Sequence, residues 1–200
     1  DFMDNGWSIK SLHKKIMMSK AYRRSIHHEN HEQLKEKDPS NSLYAVFEQR
    51  QLSAEEIRDS MLAVTGELNR QLGGIPNRPD MNLEAALQPR MIMGTFAPSY
   101  VPNPKPEQRN RRSIYALKLR GQRDPFLELF NQPGPDKSCE LRDRSMVTPQ
   151  ALTLLNGEET NDRSLALAIR ALKETDSDRE ALSKVFELAY GRLPSETENK

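Results

Sequence analysis

Two hundred residues with 30 Lys and Arg against 29 Asp and Glu leave a net charge of +1, so charge self-repulsion does not oppose compaction. Leu, Ile, Val and Phe supply only 42 residues, close to the composition at which chains stop folding, and β-branched residues are too few for an all-β sandwich or barrel. The expected fold is mainly α, an irregular multi-helix domain with a modest core, long Pro-rich loops and at most a small two- or three-stranded sheet. No apolar run approaches the roughly 18 residues that span a bilayer, and the start does not read as a signal peptide.

In chain order, Ser8 caps a predicted helix with Ile9, Leu12, Ile16 and Met17 on one face. The polar stretch from His27 to Asn41 breaks that pattern. Ser53 and Glu56 spell a capping box, followed by a stripe of Ile57, Met61, Val64, Leu68 and Leu72 that Gly73-Gly74 should end. Residues 75–110 hold most of the prolines, including Pro76, Pro79, Pro89, Pro98, Pro102, Pro104 and Pro106, and admit only short elements such as Leu83 to Leu87. The run from Ser113 to Leu119 is the best strand candidate, with Met91 to Phe96 as its possible neighbour. Asp124-Pro125 and Thr148-Pro149 each open a short helix. Two longer helices follow, one with Leu165, Ala168, Ile169 and Leu172 inward, the other opened by Ser177 with Leu182, Val185, Phe186 and Ala189 inward and closed by Gly191. Ser195 and Glu198 spell a further capping box, so the chain reads as an excised piece of a longer protein. The organisation expected is an N-terminal helical part (1–74), a Pro-rich connector (75–110) and a strand plus C-terminal helical part (111–200), all one piece of a larger domain.

Local charge is uneven. Lys105, Arg109, Arg111, Arg112, Lys118, Arg120 and Arg123 meet one acid, Glu107, before Asp124. From Glu158 to Glu187 eight acids stand against five bases. Stretches of opposite sign within one chain solvate or pair with each other more readily than they bind nucleic acid, and aromatic interleaving beyond Tyr115 is lacking, so no nucleic-acid partner is expected. All four histidines fall in the first 31 residues. His27 and His31 would share a helical face and are weak metal candidates, but no metal-site spacing surrounds them. Cys139, the one cysteine, forms no internal disulfide and fits no haem motif. Nucleophile-elbow, P-loop and dinucleotide fingerprints are absent. The remaining cluster comprises Arg111, Arg112, Tyr115, Asp136, Cys139, Arg142, Gln150 and Asn156. Its arginines suit a carboxylate, sulfate or phosphate, and suit equally a structural role tying a long loop to the core.

Five ordered blocks carry a family resemblance. They are Gly6-Trp7-Ser8-Ile9-Lys10-Ser11-Leu12-His13 continuing to Ser19 and Tyr22-Arg23; Leu52 through Gly66; Arg111-Arg112-Ser113-Ile114-Tyr115; Phe130 to Pro133 with Cys139, Arg142 and the run Pro149 to Asn156; and Ala189-Tyr190-Gly191-Arg192-Leu193-Pro194. Together they resemble a planctomycete-specific domain of unknown function, found toward the C-terminus of large proteins that often carry a cytochrome c domain. The resemblance implies an exported parent, periplasmic or on the cell surface, with haem elsewhere in that parent and no cofactor in this segment. It also implies a part of the domain preceding Asp1. The family pattern tends to Phe-Asp where this chain has Phe130-Asn131, so a mechanism needing a carboxylate there is in doubt.

Two functions follow as expectations. One is a non-catalytic helical interaction or scaffold module whose partners are other domains of the parent, supporting a cytochrome c or glycan-handling domain. The other is an enzyme domain acting on an anionic or carbohydrate substrate through the arginine-rich cluster. Thin apolar content predicts exposed apolar surface near Phe2, Trp7 and the C-terminal helix, where the rest of the parent would dock.

Overall fold

The computed structural model describes residues 1–86, 90–92, 95–97, 100–120, 122–136 and 138–199. They fall into two compact units, Asp1–Gln51 and Leu52–Lys200. Among the described residues the structure is mainly helical, with a two-stranded antiparallel sheet.

In the first unit, α1 (Ile9–Met17) opens as the sequence suggests, with Ser8 Oγ accepting from the Ser11 N–H at 3.3 Å. Its apolar face is not inward, however. Ile9, Ile16 and Met17 are exposed, Leu12 is half-buried, and the helix buries no residue. Phe2, half-buried, meets exposed Trp7 edge-on at 5.3 Å. The polar stretch holds a short helix, α2 (His31–Lys37). After it, the Asp38 carboxylate accepts the backbone N–H groups of Ser42 (2.9 Å) and Leu43 (2.8 Å), bonds that hold its pKa below the ordinary value. Among the side chains described in this unit, none is buried.

The second unit is organised on α3 (Ala54–Val64). Its capping box is complete: Ser53 Oγ accepts from the Glu56 N–H at 3.3 Å and Glu56 Oε2 from the Ser53 N–H at 2.9 Å. The helix ends two turns before Gly73. Gly66 takes φ +79°, and the N–H groups of Glu67 and Leu68 both turn back to the Leu62 carbonyl at 2.9 and 3.0 Å, a left-handed closure that glycine permits. The deeply buried line is Ala54, Arg58, Leu62 and Thr65, while Ile57, Met61 and Val64 are only half-buried. The helix is thus rotated from the expected apolar stripe, because small Ala54 admits Leu127 of a later element and Phe130, its C-terminal cap, while Arg58 finds carbonyl partners below it.

That element is α6 (Pro125–Leu129), preceded in the chain by α4 (Leu83–Ala86), β1 (Arg90–Ile92), β2 (Thr95–Ala97) and α5 (Pro106–Arg109). The strands pair antiparallel with Met91 opposite Phe96. Leu87, Pro89 and Pro98 lie outside the described residues. The expected strand at 113–119 is instead a 3₁₀ turn, Ser113–Tyr115, followed by an isolated parallel bridge of Ala116 to Asn77. A side chain has replaced a strand neighbour: Asp59 Oδ1 of α3 accepts both the Ser113 N–H (2.8 Å) and its hydroxyl (2.7 Å).

Asp124 caps α6 through the N–H groups of Phe126 (2.9 Å) and Leu127 (3.2 Å). Asn131, at φ +62°, closes it and exchanges side-chain bonds with Ser145. The chain ends in α7 (Thr148–Asn156), α8 (Glu158–Glu174) and α9 (Asp178–Tyr190), with Ser177 capping α9 and Gly191 at φ +67° ending it. In α8 the stripe expected inward faces out. Leu165, Ala168, Ile169 and Leu172 are exposed, and the helix packs through Arg163, Ala166, Leu167, Arg170 and Ala171. Two arginines set that rotation: Arg163 pairs with Glu67, and Arg170 donates to the last carbonyls of α3, Ala63 (3.3 Å) and Val64 (2.8 Å). In α9 Ala181 is buried, Leu182, Val185 and Phe186 are half-buried, and Ala189 is exposed.

Candidate functional site

The polar centre of the second unit is the Arg58 guanidinium, 5% exposed. Its Nη1 donates to the Arg111 carbonyl at 3.1 Å and Ser113 Oγ at 3.2 Å, and its Nη2 to the Arg109 carbonyl at 3.1 Å. Asp59 Oδ1 lies 3.6 Å away and supplies the nearest counter-charge. A buried cation is tolerated only when hydrogen-bonded and compensated. Here backbone carbonyls of a loop do most of that work, so Arg58 fixes the 109–113 backbone against α3. Asn77 shares the Arg109 carbonyl at 3.0 Å and extends the network into the Pro-rich connector.

Three acids answer the same field. Burial pushes the Asp124 carboxyl up, and the N–H groups of Leu127 and Phe126 together with the Arg58 charge only partly oppose it. Burial likewise raises Glu159 in the first turn of α8, Arg58 opposes this, and Asp124 adds repulsion. Tyr100 is pushed up to about 12 by burial and by the Asp124 charge, and its hydroxyl donates to the Pro79 carbonyl at 2.8 Å. Tyr100 and Asp124 line a cavity of about 40 Å³ together with Pro79, Leu117, Lys118 and Leu127. That volume has room for water and falls far below the roughly 300 Å³ at which small-molecule pockets begin. The arrangement favours the protonated form of both carboxyls over that of a solvated carboxylate.

The candidates named from sequence are distributed around this centre. Arg111 is buried. It donates to the carbonyls of Ile75 (2.9 Å), Gln71 (3.3 Å) and Gly73, and its guanidinium lies over the Tyr115 ring at 4.5 Å. Arg112 is exposed. Asp136 pairs at 4.0 Å with Arg120 on the surface. Cys139 is an exposed thiol donating to the Leu141 carbonyl at 3.2 Å. Arg142 forks onto Glu55 at 2.5 and 3.2 Å, within electrostatic reach of Cys139. Desolvation opposes the Glu55 charge, yet that fork and Gln132 hold its pKa below the ordinary value. Gln150 is buried, donates to the Leu129 carbonyl at 2.9 Å and accepts from the Val147 N–H at 3.3 Å. Asn156 is the exposed last residue of α7. The structure therefore joins Arg111 to Tyr115 and Arg142 to the Cys139 loop, and anchors Gln150 to the end of α6. His27 precedes α2, whose first residue is His31, so the two do not share one helix. Among the described residues no group of three or more His, Cys, Asp or Glu is placed to hold a metal ion.

Sequence reasoning missed Arg58, Tyr100 and Glu159. Arg58 did leave a trace, since it stands four residues from Ala54 and four from Leu62 on one helical line. Tyr100 and Glu159 left none, because their burial is made by contacts distant in sequence.

Fold and centre together define a mainly helical domain whose interior is organised by a buried arginine and its carbonyl partners. The chain belongs to the family described as PSD1, protein of unknown function (DUF1553), which it matches over residues 1–200. No curated protein matches it, and no solved structure does. Among the described residues no helix is long and apolar enough to cross a membrane.

Proposed function

We propose that the chain is a non-catalytic helical interaction and scaffold module of a large exported planctomycete protein, located in the periplasm or at the cell surface. Its partners are other domains of that parent, among them a haem-carrying cytochrome c or glycan-handling domain that it supports. One observation carries this reading: the first unit buries none of its described side chains, while Trp7 (65% exposed), Ile9, Ile16 and Met17 present an apolar face around α1. Contiguous apolar surface of this kind marks a contact region. The polar centre fits the same role, since its arginines are spent on backbone carbonyls and on Glu55.

Hydroxyl-radical footprinting tests the reading, because Trp and Met oxidise readily when exposed. Trp7 and Met17 are expected to oxidise in the 200-residue chain and to be protected in the full-length parent. Equal oxidation in both would overturn it. The alternative, an enzyme domain for an anionic or carbohydrate substrate, draws support from the raised acids Asp124 and Glu159. A screen of ester, glycoside and sulfate substrates showing turnover that Asp124→Asn abolishes would establish that alternative.

A further inference from the structure

The outward face of α8 has a symmetry the proposed role does not use. Leu165 (63% exposed), Ala168, Ile169 (44%) and Leu172 (57%) stand at i, i+3, i+4 and i+7 on the side turned away from α3. Reversing the helix about the midpoint of this row, between 168 and 169, superposes the row on itself. Leu165 then meets Leu172 of the second helix, and small Ala168 meets Ile169, an alternation of large and small side chains that lets two helices approach closely.

The charges beside the row select the direction. Asp162 and Lys173 are both exposed, and at 100° per residue they fall on the same flank of the apolar row, one near each end. When two such helices cross antiparallel about a two-fold axis, like flanks face each other. Each Asp162 then stands beside Lys173 of the other copy, within two residues of ideal register, whereas a parallel pair would put these flanks on opposite sides of the contact and leave the charges unpaired across it. The antiparallel order also opposes the two helix dipoles favourably.

We infer that this face of α8 binds a second copy of the chain, giving a two-fold antiparallel α8–α8 contact. This rests on the reading of the domain as an interaction module but uses a different surface from the one around α1. One helical row is smaller than the roughly 800 Å² per partner of a standard interface, so the dimer is expected to be weak and reversible.

Sedimentation equilibrium of the full-length protein tests the inference. The expected result is a reversible dimer that Ile169→Glu weakens by at least about thirtyfold, the change that makes a central anchor a hot spot. Ile169 is exposed, and an unchanged far-ultraviolet circular dichroism spectrum would show that the variant folds. Asp162→Lys and Lys173→Asp should each weaken association, and the double swap should restore it, which only the antiparallel juxtaposition explains. A monomer at all concentrations, or a dimer indifferent to these substitutions, would overturn the inference. A monomer whose Trp7 and Met17 are still protected in the parent would overturn it while leaving the module reading intact.

Discussion

Arg58 shows how one residue can decide the packing of a unit with little apolar mass. Replacing it with Met retains much of the side-chain volume but strands the Arg111 carbonyl, leaves the Arg109 carbonyl to Asn77 and takes from Asp59 its nearest cation. Loss of buried partners of this kind costs about 3 kcal/mol, whereas Arg112→Met on the surface should stay within about 0.5 kcal/mol. Urea denaturation of the two variants checks the contrast; equal costs would show that the Arg58 network is unimportant. Asp124 gives a pH signature. Its folded pKa is raised, so the native state retains a proton that the unfolded chain has lost, and its contribution to stability falls as pH rises from the usual carboxylate range through the raised value. Asp124→Asn keeps a capping side chain and removes that dependence. The stability of wild type relative to the variant should therefore decline as pH rises, and a flat difference between pH 4 and 8 would show that Asp124 ionises alike in both states.

Among the elements, ends were more legible than faces. Ser8, Ser53, Asp124, Ser177 and Gly191 all act where the sequence placed them, because a cap is a local bond between neighbours. Gly66 was not recognised as the end of α3, since the apolar stripe continues past it. Its φ of +79° and its distance from the Arg170 side chain separate two costs, strain and crowding. A methyl group added at Gly66 would lie 3.6 Å from that side chain, which is ordinary van der Waals contact. Gly66→Ala should therefore lose about 1–2 kcal/mol through backbone strain alone. Gly134, with ordinary φ and nothing within 4 Å, should accept Ala at nearly no cost. Thermal unfolding of both variants checks this, and equal midpoints would refute it. Faces misled because periodicity reports which residues are apolar and not which side meets a neighbour. In α8 the ion pair to Glu67 and the bonds from Arg170 to the end of α3 outweigh the apolar row in setting the rotation.

For the molecule as a whole, burial is divided unevenly. Among the described residues of the second unit, more than half of the buried hydrophobic side chains are alanines, and nearly as many buried residues are polar or charged, including Arg58, Arg111, Ser113 and Gln150. The first unit has no described side chain buried. Native-state hydrogen exchange should therefore show α1 and α2 amides exchanging at least about 100-fold faster than those in the middle of α3. Comparable protection would mean that the first unit is stabilised by more than its own contacts provide. Helical class, most helix starts and the scarcity of apolar residues were all determined by the amino-acid sequence, because propensity, caps and composition are local or summed quantities. Tertiary structure alone decided that Ser113 would meet Asp59 and abandon a strand, that Arg58 would gather the 109–113 carbonyls, and that Leu165, Ile169 and Leu172 would face outward. Each of those outcomes depends on which polar groups, about 50 to 100 residues apart, find one another when a small apolar core leaves hydrogen bonds and ion pairs to set the orientation of its helices.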